Sequence, residues 1–246
     1  MIDYPEPNFA QQLSKTVKSL EDLHNGVIKQ IHSSCSQLGQ LIRCYGSSKL
    51  YVVAGHAQMG MTKLVVSETL KALDDGHAVC ICTIGAINGN PYKAMQVQMP
   101  TTDSRLTIHN MSQFSVEQLI QKAKALKYQG MLDILFIDSL SLDEFEVSQA
   151  QGKEINSIAV KLKRLVYELK IPVVVVAELS ETVEGSDRAN WPSIDDFGNC
   201  DPLYMHADVV MLCYRSFAQL EQSPTAPTHV QVVKNRTGPE GVADLY

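Results

Sequence analysis

The stretch GHAQMGMT, residues 55–62, has the outline of a phosphate-binding loop. Gly55 and Gly60 stand five positions apart, and Thr62 supplies a hydroxyl two positions after the second glycine. An apolar run ends at Gly55 and a helical pattern starts near Gly60, so free backbone N–H groups and the positive end of a helix dipole come together. The stretch therefore predicts an anion-binding turn between a strand and a helix.

The position that a working loop of this kind fills with lysine holds Met61. In such loops the lysine ammonium group bridges the outer phosphates, and the hydroxyl that follows it holds Mg²⁺. Lys63 does not replace the missing lysine, because two further residues along a helix rotate a side chain by about 200°. The loop keeps its metal-side hydroxyl but lacks its own cation.

Seven short apolar runs alternate with helical patterns from about residue 37 to the C-terminus. The runs cover residues 50–55, 78–84, 106–110, 132–138, 172–178, 208–214 and 229–234. Most are apolar at successive positions, which is typical of strands buried on both faces. The helical patterns between them lie at residues 62–75, 115–129 and 153–170. Strands and helices in this order predict right-handed crossovers and a mostly parallel sheet.

The domain organisation follows from these patterns. We expect an α/β domain over residues 35–246, with a mostly parallel central sheet flanked by helices. The runs after residue 208 lack long intervening helices, which favours a mixed edge at the C-terminal end. A helical pattern over residues 8–32, interrupted by the turn-prone pair Asn25-Gly26, predicts an N-terminal helical arm over residues 1–34.

The composition is ordinary for a globular protein, with 45% apolar and 20% charged residues in 246. The net charge of -6 means that nucleic acid binding would need a local basic patch. No apolar run is long enough to span a bilayer and the first twenty residues lack a signal-peptide pattern, so we expect a cytoplasmic protein without a membrane partner. Cys80 and Cys82 share one face of a predicted strand, which favours core packing over a zinc site.

A carboxylate stands where a second Mg²⁺ ligand would be needed. Asp138 follows four consecutive apolar residues at the end of the run 132–138. A carboxylate at the end of a strand near a phosphate loop is a common magnesium ligand. The alternative is an aspartate that only caps the strand end. We favour an inherited metal site formed by Thr62 and Asp138, without requiring that metal still binds.

A working site of this kind also needs a carboxylate that activates water, and we expect it at the end of the run 78–84. No Asp or Glu occurs between Asp75 and Asp103, so the run 78–84 ends without an acid. Glu178, at the end of the run 172–178, is the nearby candidate to replace it.

The order and spacing of these segments resemble the C-terminal, RecA-like motor domain of the DnaB-family replicative helicases. The resemblance runs from about residue 35 to the C-terminus. Residues 55–62 look like the family's Walker A segment, and LDILFID (132–138) looks like Walker B. HADVVMLCYR (206–215) and VKNRTGPEG (233–241) look like its two closing segments, and the pattern Lys-Asn-Arg-x-Gly-Pro-x-Gly is specific. The resemblance implies a RecA-like P-loop fold.

In this family the motor subunits form a hexameric ring with ATP bound between neighbours. The resemblance therefore implies that Lys234 and Arg236 reach across to the γ-phosphate on the adjacent subunit. The alternative is a basic pair that is solvated at a strand end. The residues that would hold ATP with Mg²⁺, at most weakly without the lysine, are Gly55, Gly60, Met61, Thr62 and Asp138.

The departures from the family pattern fall where the chemistry would occur. Met61 stands in place of the Walker A lysine, and the family's catalytic glutamate aligns with Gly85. The glutamine expected after the fourth central strand aligns with Glu178. The resemblance thus implies that hydrolysis is lost or very weak.

The segments that face DNA in the family have changed as well. Asp143, Glu144 and Glu146 follow the Walker B segment, with no Lys or Arg over residues 139–152. The turn that is similar to Arg-Glu-Ser-Gly in the family aligns with residues 198–201, Gly-Asn-Cys-Asp. Phosphate contacts dominate nucleic acid affinity, so we expect DNA binding to be weak or lost.

Three functions are compatible with these patterns. The first is a non-catalytic relative that acts in DNA replication as a homo-oligomer or on a replicative helicase subunit. The second is a divergent but active ATP-dependent DNA helicase subunit, with Glu178 in the site and Lys234 and Arg236 supplied in trans. The third is a nucleotide-sensing or structural oligomer unrelated to replication. We favour the first, because losses at the ATP site coincide with acidic or neutral residues at both DNA-facing segments.

Overall fold

The computed structural model describes residues 30–84, 103–111, 115–141, 149–179, 201–215 and 227–245, together with isolated positions in 13–21 and 192–197. The chain divides into two compact units, Met1–Ile31 and His32–Tyr246. In the first unit the described positions between 13 and 21 are helical, in agreement with the helical pattern of that segment.

The second unit contains five helices and eight strands within the described ranges. The helices are α1 (Ser36–Ile42), α2 (Met61–Asp74), α3 (Val116–Tyr128), α4 (Gln149–Leu169) and α5 (Asp201–His206). The strands are β1 (Leu50–Gly55), β2 (Val79–Ile84), β3 (Leu106–Met111), β4 (Ile134–Ser141), β5 (Val173–Glu178), β6 (Val209–Tyr214), β7 (Thr228–Asn235) and β8 (Gly241–Leu245). Among the described residues no helix is both long and apolar enough to span a bilayer.

All eight strands belong to one sheet with the order β3-β2-β4-β5-β1-β6-β7-β8. The strands from β3 to β6 pair in parallel. The last two strands pair antiparallel, so the mixed edge begins at β7 and β6 still belongs to the parallel part. The expected α/β architecture with a mostly parallel sheet is confirmed.

Burial explains why the central runs are apolar at every position. Each residue of β1 and β6 is buried, and β5 is buried up to its last residue. Helices pack on a parallel sheet from both faces, so neither side chain direction meets water. In β7 burial alternates, with Thr228, Val230 and Val232 buried and the residues between them partly exposed. Cys80 and Cys82 are buried in this core, as their position in the strand predicted.

Local residues in the sequence explain two helix ends. Gly76 follows α2 with a φ of 86°, and the His77 N–H donates to the Ala72 carbonyl at 2.9 Å. This is the left-handed residue that commonly ends a helix. At the start of α3 the Ser115 hydroxyl oxygen accepts from the Gln118 N–H at 3.3 Å, which satisfies one free donor of the first turn.

The outer edge of β8 is covered by α1 and the residues before it. The Asp244 N–H donates to Gln37 Oε1 at 2.8 Å, and the Cys35 thiol donates to the Asp244 carbonyl at 3.5 Å. A free strand edge can pair with other chains, and a covering helix removes that opportunity.

A buried carboxylate ties the start of this covering segment to α2. Glu68 is 2% exposed and accepts hydrogen bonds from the Ser33 hydroxyl at 2.8 Å and from the Ser34 N–H and hydroxyl, both at 3.0 Å. Burial raises the pKa of Glu68, because desolvation outweighs the hydrogen bonds that favour the ionised form. The helix that follows the phosphate loop is therefore fixed to the segment that leads into α1.

Candidate nucleotide-binding site

The phosphate loop connects β1 to α2 at the carboxyl edge of the parallel strands. Gly60 adopts φ 91° and ψ 13° and precedes the first residue of α2, and its carbonyl accepts from the Leu64 N–H at 3.0 Å. A Cβ atom on Gly60 would lie 2.3 Å from Thr228 Oγ1. Glycine is required here by its backbone conformation and by the close approach of β7.

The first glycine of the loop is also closely packed. A Cβ atom on Gly55 would lie 2.6 Å from the Cys213 carbonyl oxygen of the neighbouring β6. Because that obstacle is backbone, any side chain at position 55 would push β1 and β6 apart.

The structure brings Thr62 and Asp138 together. The Thr62 hydroxyl donates to Asp138 Oδ2 at 3.0 Å, although the two residues lie on different elements. A hydroxyl and a carboxylate are hard oxygen ligands that suit Mg²⁺, which takes its remaining ligands from water and phosphate oxygens. Among the described residues no group of three or more His, Cys, Asp or Glu could hold a metal ion alone. The pair therefore fits a magnesium ion that arrives with a nucleotide.

Glu178 lies at the end of the strand between β1, which leads into the loop, and β4, which carries Asp138. It ends β5, which separates β1 from β4, and it stands in register with Gly55 on one side and Ser141 on the other. The next residue, Leu179, donates its N–H to the Gly55 carbonyl at 2.9 Å. Glu178 is thus placed at the same edge as the loop and is partly exposed.

Met61 does not imitate a lysine. Its side chain is 7% exposed, and its sulfur lies 3.4 Å from the point that a Cβ atom on Gly55 would occupy. The thioether therefore packs back against the end of β1 and brings no charge to the loop. Lys63 lines a different cleft, between α1, α2 and β8, together with Ser67 and Asp244. The expectation that Lys63 points away from the loop agrees with this position.

One buried polar atom of the loop has no hydrogen-bond partner among the described residues. The Nδ1 atom of His56 is buried and makes no hydrogen bond in the part of the chain that the structure describes. Buried ring nitrogens are normally paired, so an unpaired one inside a phosphate loop fits a site that receives a hydrogen-bonding ligand.

Lys234 and Arg236 lie toward the opposite edge of the sheet. Lys234 pairs with Val210, which is in register with Val52, and the Arg236 N–H donates to the Asp208 carbonyl just before β6. Val52 lies three residues before Gly55 along β1. At about 3.3 Å per residue, the basic pair is therefore roughly 10 Å or more from the end of β1. Neither cation is placed to serve the loop of its own chain.

Both cations bind the end of α5. The Lys234 ammonium donates to the carbonyls of Tyr204 at 2.6 Å and Met205 at 3.2 Å, and it lies 4.7 Å from the centre of the Tyr204 ring. Arg236 Nη2 donates to the Met205 carbonyl at 3.0 Å. Desolvation, followed by the nearby Arg236 charge, lowers the pKa of Lys234. The pair is therefore engaged with a helix end and is not simply solvated.

Asp208 fixes this basic pair to the core. Its carboxylate accepts from the Leu50 N–H at 2.8 Å and from the Lys163 ammonium, and Arg236 Nη1 lies 3.7 Å away. Asp208 is 9% exposed, so its contacts with Leu50 and Lys163 form in a largely desolvated setting. The carboxylate connects β1, α4 and the segment after β7.

Several predicted positions lie outside the described residues. These are Gly85, Asp143, Glu144, Glu146 and residues 198–200. The loss of the catalytic glutamate and the acidic or neutral character of the DNA-facing segments therefore remain predictions from the sequence.

Two residues that sequence reasoning missed contact the loop. Arg215 follows β6, and its Nε donates at 2.8 Å to the hydroxyl of Thr228, the residue that approaches Gly60. A usable signal was present, because a cation directly after a strand that neighbours β1 must reach the loop edge.

The comparison with protein families agrees with the resemblance noted in the sequence. Residues 83–246 match the family model of the DnaB-like helicase C-terminal domain. The matched region starts after the phosphate loop, so it excludes the segment in which Met61 lies.

Curated relatives are replicative helicases. The chain is 34% identical over 137 residues to the probable plasmid replicative DNA helicase of Chlamydia muridarum, covering 55% of this chain and 29% of the relative. It is 22% identical over 270 residues to the replicative DNA helicase DnaC of Bacillus subtilis, covering 97% of this chain and 59% of the relative. The chain thus spans less than two thirds of the length of either relative.

Solved structures share the fold. A solved ATPase domain matches with a TM-score of 0.75 at 20% identity, covering 97% of this chain and 95% of that one. A DnaB-like replicative helicase described with its interactions with primase matches with a TM-score of 0.73 at 19% identity, covering 94% and 63%. These matches confirm the RecA-like fold.

Proposed function

Because the chain belongs to the family of DnaB-like helicase C-terminal domains, we propose that it serves DNA replication as an interaction or accessory protein with little or no ATP hydrolysis. The observation that carries this proposal is the buried, uncharged Met61 at the position of the phosphate-binding lysine. Loss of one preorganised charge at a phosphoryl-transfer site commonly lowers the rate by about 10²–10³, or about 3–4 kcal/mol. The aligned loss of the catalytic glutamate at Gly85 adds to this effect.

The kept basic pair supports a role beside another subunit. Lys234 and Arg236 point away from their own loop, and α5 and Asp208 hold them in place. In our proposal they face the phosphates bound to a neighbour, which is a second copy of the chain or a replicative helicase subunit. The acidic residues 143, 144 and 146 leave DNA binding weak or lost in this role.

A divergent, active helicase subunit is the second candidate. Two observations favour it, namely the contact between Thr62 and Asp138 and the placement of Glu178 beside Gly55. These would provide the metal side of the site and a substitute carboxylate.

Phosphate release separates the two candidates. With ATP and Mg²⁺, we expect release close to background, unchanged by single-stranded DNA, because no lysine neutralises the outer phosphates. Colorimetric phosphate detection on the full chain gives the measurement. Strong DNA-stimulated release that disappears in the Lys234→Ala variant would establish the active helicase subunit instead.

Restoring the lysine should recover binding but not turnover. In Met61→Lys we expect ATP affinity to rise about tenfold, since a charge-assisted contact to phosphate returns. Phosphate release should stay low, because Gly85 offers no acid to activate water. Titration with a fluorescent ATP analogue measures the affinity. Lys63→Met is the matched control and should bind as the unchanged chain does, since Lys63 lines another cleft. A vigorous ATPase from the single Met61→Lys change would contradict the proposal.

A further inference from the structure

We propose that Arg215 supplies the positive charge that the phosphate loop lost at Met61, so that the loop binds the phosphate chain of a nucleotide through a cation of the same subunit. The proposal rests on the proposed function, because it names the ligand class that a loop with little or no hydrolysis retains.

The first step is placement. Arg215 directly follows β6, and β6 pairs in parallel with β1, which leads into the loop. The carboxyl ends of neighbouring parallel strands meet at one edge, so Arg215 emerges beside the loop. Its backbone N–H contacts the sulfur of Met59 at 3.3 Å, inside the loop sequence.

The second step is orientation. Arg215 Nε donates at 2.8 Å to the hydroxyl of Thr228, which is fully buried. The outer nitrogen Nη2 lies 3.1 Å from the point that a Cβ atom on Gly60 would occupy. The buried hydroxyl therefore fixes the planar guanidinium group with Nη2 next to Gly60, the residue that precedes α2.

The third step is charge. In the described ranges Arg215 forms no ion pair, whereas Arg105 and Arg236 pair with Asp103 and Asp208. The N-terminal end of α2 adds its own positive potential, and no acidic residue stands in its first turn. A fixed guanidinium beside a helix N-terminus, with no carboxylate to balance it, favours an anion.

A separate observation points to a ligand at the same loop. The buried Nδ1 atom of His56 has no hydrogen-bond partner among the described residues. Phosphate oxygens at the loop would accept hydrogen bonds from the guanidinium and the backbone N–H groups, and also from this ring nitrogen when it carries the hydrogen. Lys63 cannot take the same role, because it lines the cleft toward β8.

The test uses the full chain and two probes, inorganic tripolyphosphate and ATP, each with Mg²⁺ at low salt. Binding is measured by isothermal titration calorimetry for the unchanged chain, Arg215→Gln, Arg215→Lys and the control Arg105→Met. Glutamine keeps a donor for Thr228 but removes the charge. We expect Arg215→Gln to weaken both probes about tenfold or more, and Arg215→Lys to stay within about threefold. Arg105→Met removes an exposed pair before β3 and should change nothing.

Three results would overturn the assignment. They are no binding by the unchanged chain, equal binding by Arg215→Gln, or weaker binding of ATP with unchanged binding of tripolyphosphate, which would place Arg215 at the nucleoside. If circular dichroism shows that Arg215→Gln does not fold, Thr228→Val tests the same contact. That variant frees the guanidinium and should weaken tripolyphosphate binding several-fold, and unchanged binding would also overturn the assignment.

Phosphate release on the same samples separates this inference from the proposed function. Binding that depends on Arg215 without release supports both. Rapid release that depends on Arg215 supports the Arg215 contact but overturns the loss of hydrolysis. If binding does not depend on Arg215 and no phosphate is released, only the Arg215 contact is overturned.

Discussion

Gly60→Ala should lower the free energy of unfolding by about 3 kcal/mol or more and abolish the proposed nucleotide binding. The left-handed backbone of Gly60, with φ 91°, costs about 1–2 kcal/mol for a residue that carries a Cβ atom. The added atom would also lie 2.3 Å from Thr228 Oγ1. Thr228 is fully buried and bonded to Arg215, so the overlap can be relieved only by moving β7 or the loop.

Gly130→Ala is the matched control for this change. Gly130 also has a positive φ, 70°, but a Cβ atom there would meet nothing within 4 Å. Gly130→Ala should therefore lower the free energy of unfolding by about 1 kcal/mol, from the backbone alone. Urea denaturation followed by circular dichroism measures both variants, and the difference between them isolates the overlap with Thr228. Equal losses would show that the loop and β7 are not in close contact.

Asp208→Ala should destabilise the fold by about 3–5 kcal/mol, because removal of one partner leaves the others desolvated and unpaired. The change removes the carboxylate that pairs with the Lys163 ammonium group, whose side chain is 13% exposed. It also removes the acceptor of the Leu50 N–H at the start of β1. It also removes the carboxylate beside Arg236. Thermal and chemical denaturation measure the loss.

Asp75→Ala provides the contrast. Asp75 pairs with Lys71 one helical turn away, and the two side chains are 26% and 36% exposed. Such surface pairs contribute about 0.5 kcal/mol or less. If both aspartate variants lost stability equally, Asp208 would be only a surface charge and the basic pair would not depend on it.

The sequence predicted the strands well because burial on both faces leaves a strong local pattern. All seven apolar runs lie on strands, and the run 50–55 has the same bounds as β1. β8 was missed because GVADL mixes small, apolar and acidic residues, and its burial is only partial. α1 was missed because seven residues make fewer than two full turns of apolar periodicity.

The proximity of Thr62 and Asp138 was predictable, because strand order alone decides it. Thr62 lies at the start of α2, and Asp138 lies on β4, which only β5 separates from β1. Both residues therefore reach the same edge of the sheet. The position of Arg215 at the loop edge had a signal in the sequence, a cation directly after an apolar run, but its contact with Thr228 and Gly60 depends on how β6 and β7 pair. The cluster around Asp208 is also beyond local patterns, because it joins side chains and backbone from four distant segments.

The reversal of direction at β7 has a further consequence. It directs the basic pair toward one end of the strands and the phosphate loop toward the other. In our proposal each chain therefore has one side that supplies the basic pair and one side that receives it, and a row built from such contacts is polar. A copy whose own phosphate loop does not support hydrolysis still carries the basic pair Lys234 and Arg236. In a ring with active subunits, such a copy would complete the ATP site of one neighbour but would not hydrolyse ATP in its own site. Each inserted copy would therefore remove ATP hydrolysis at a single subunit interface.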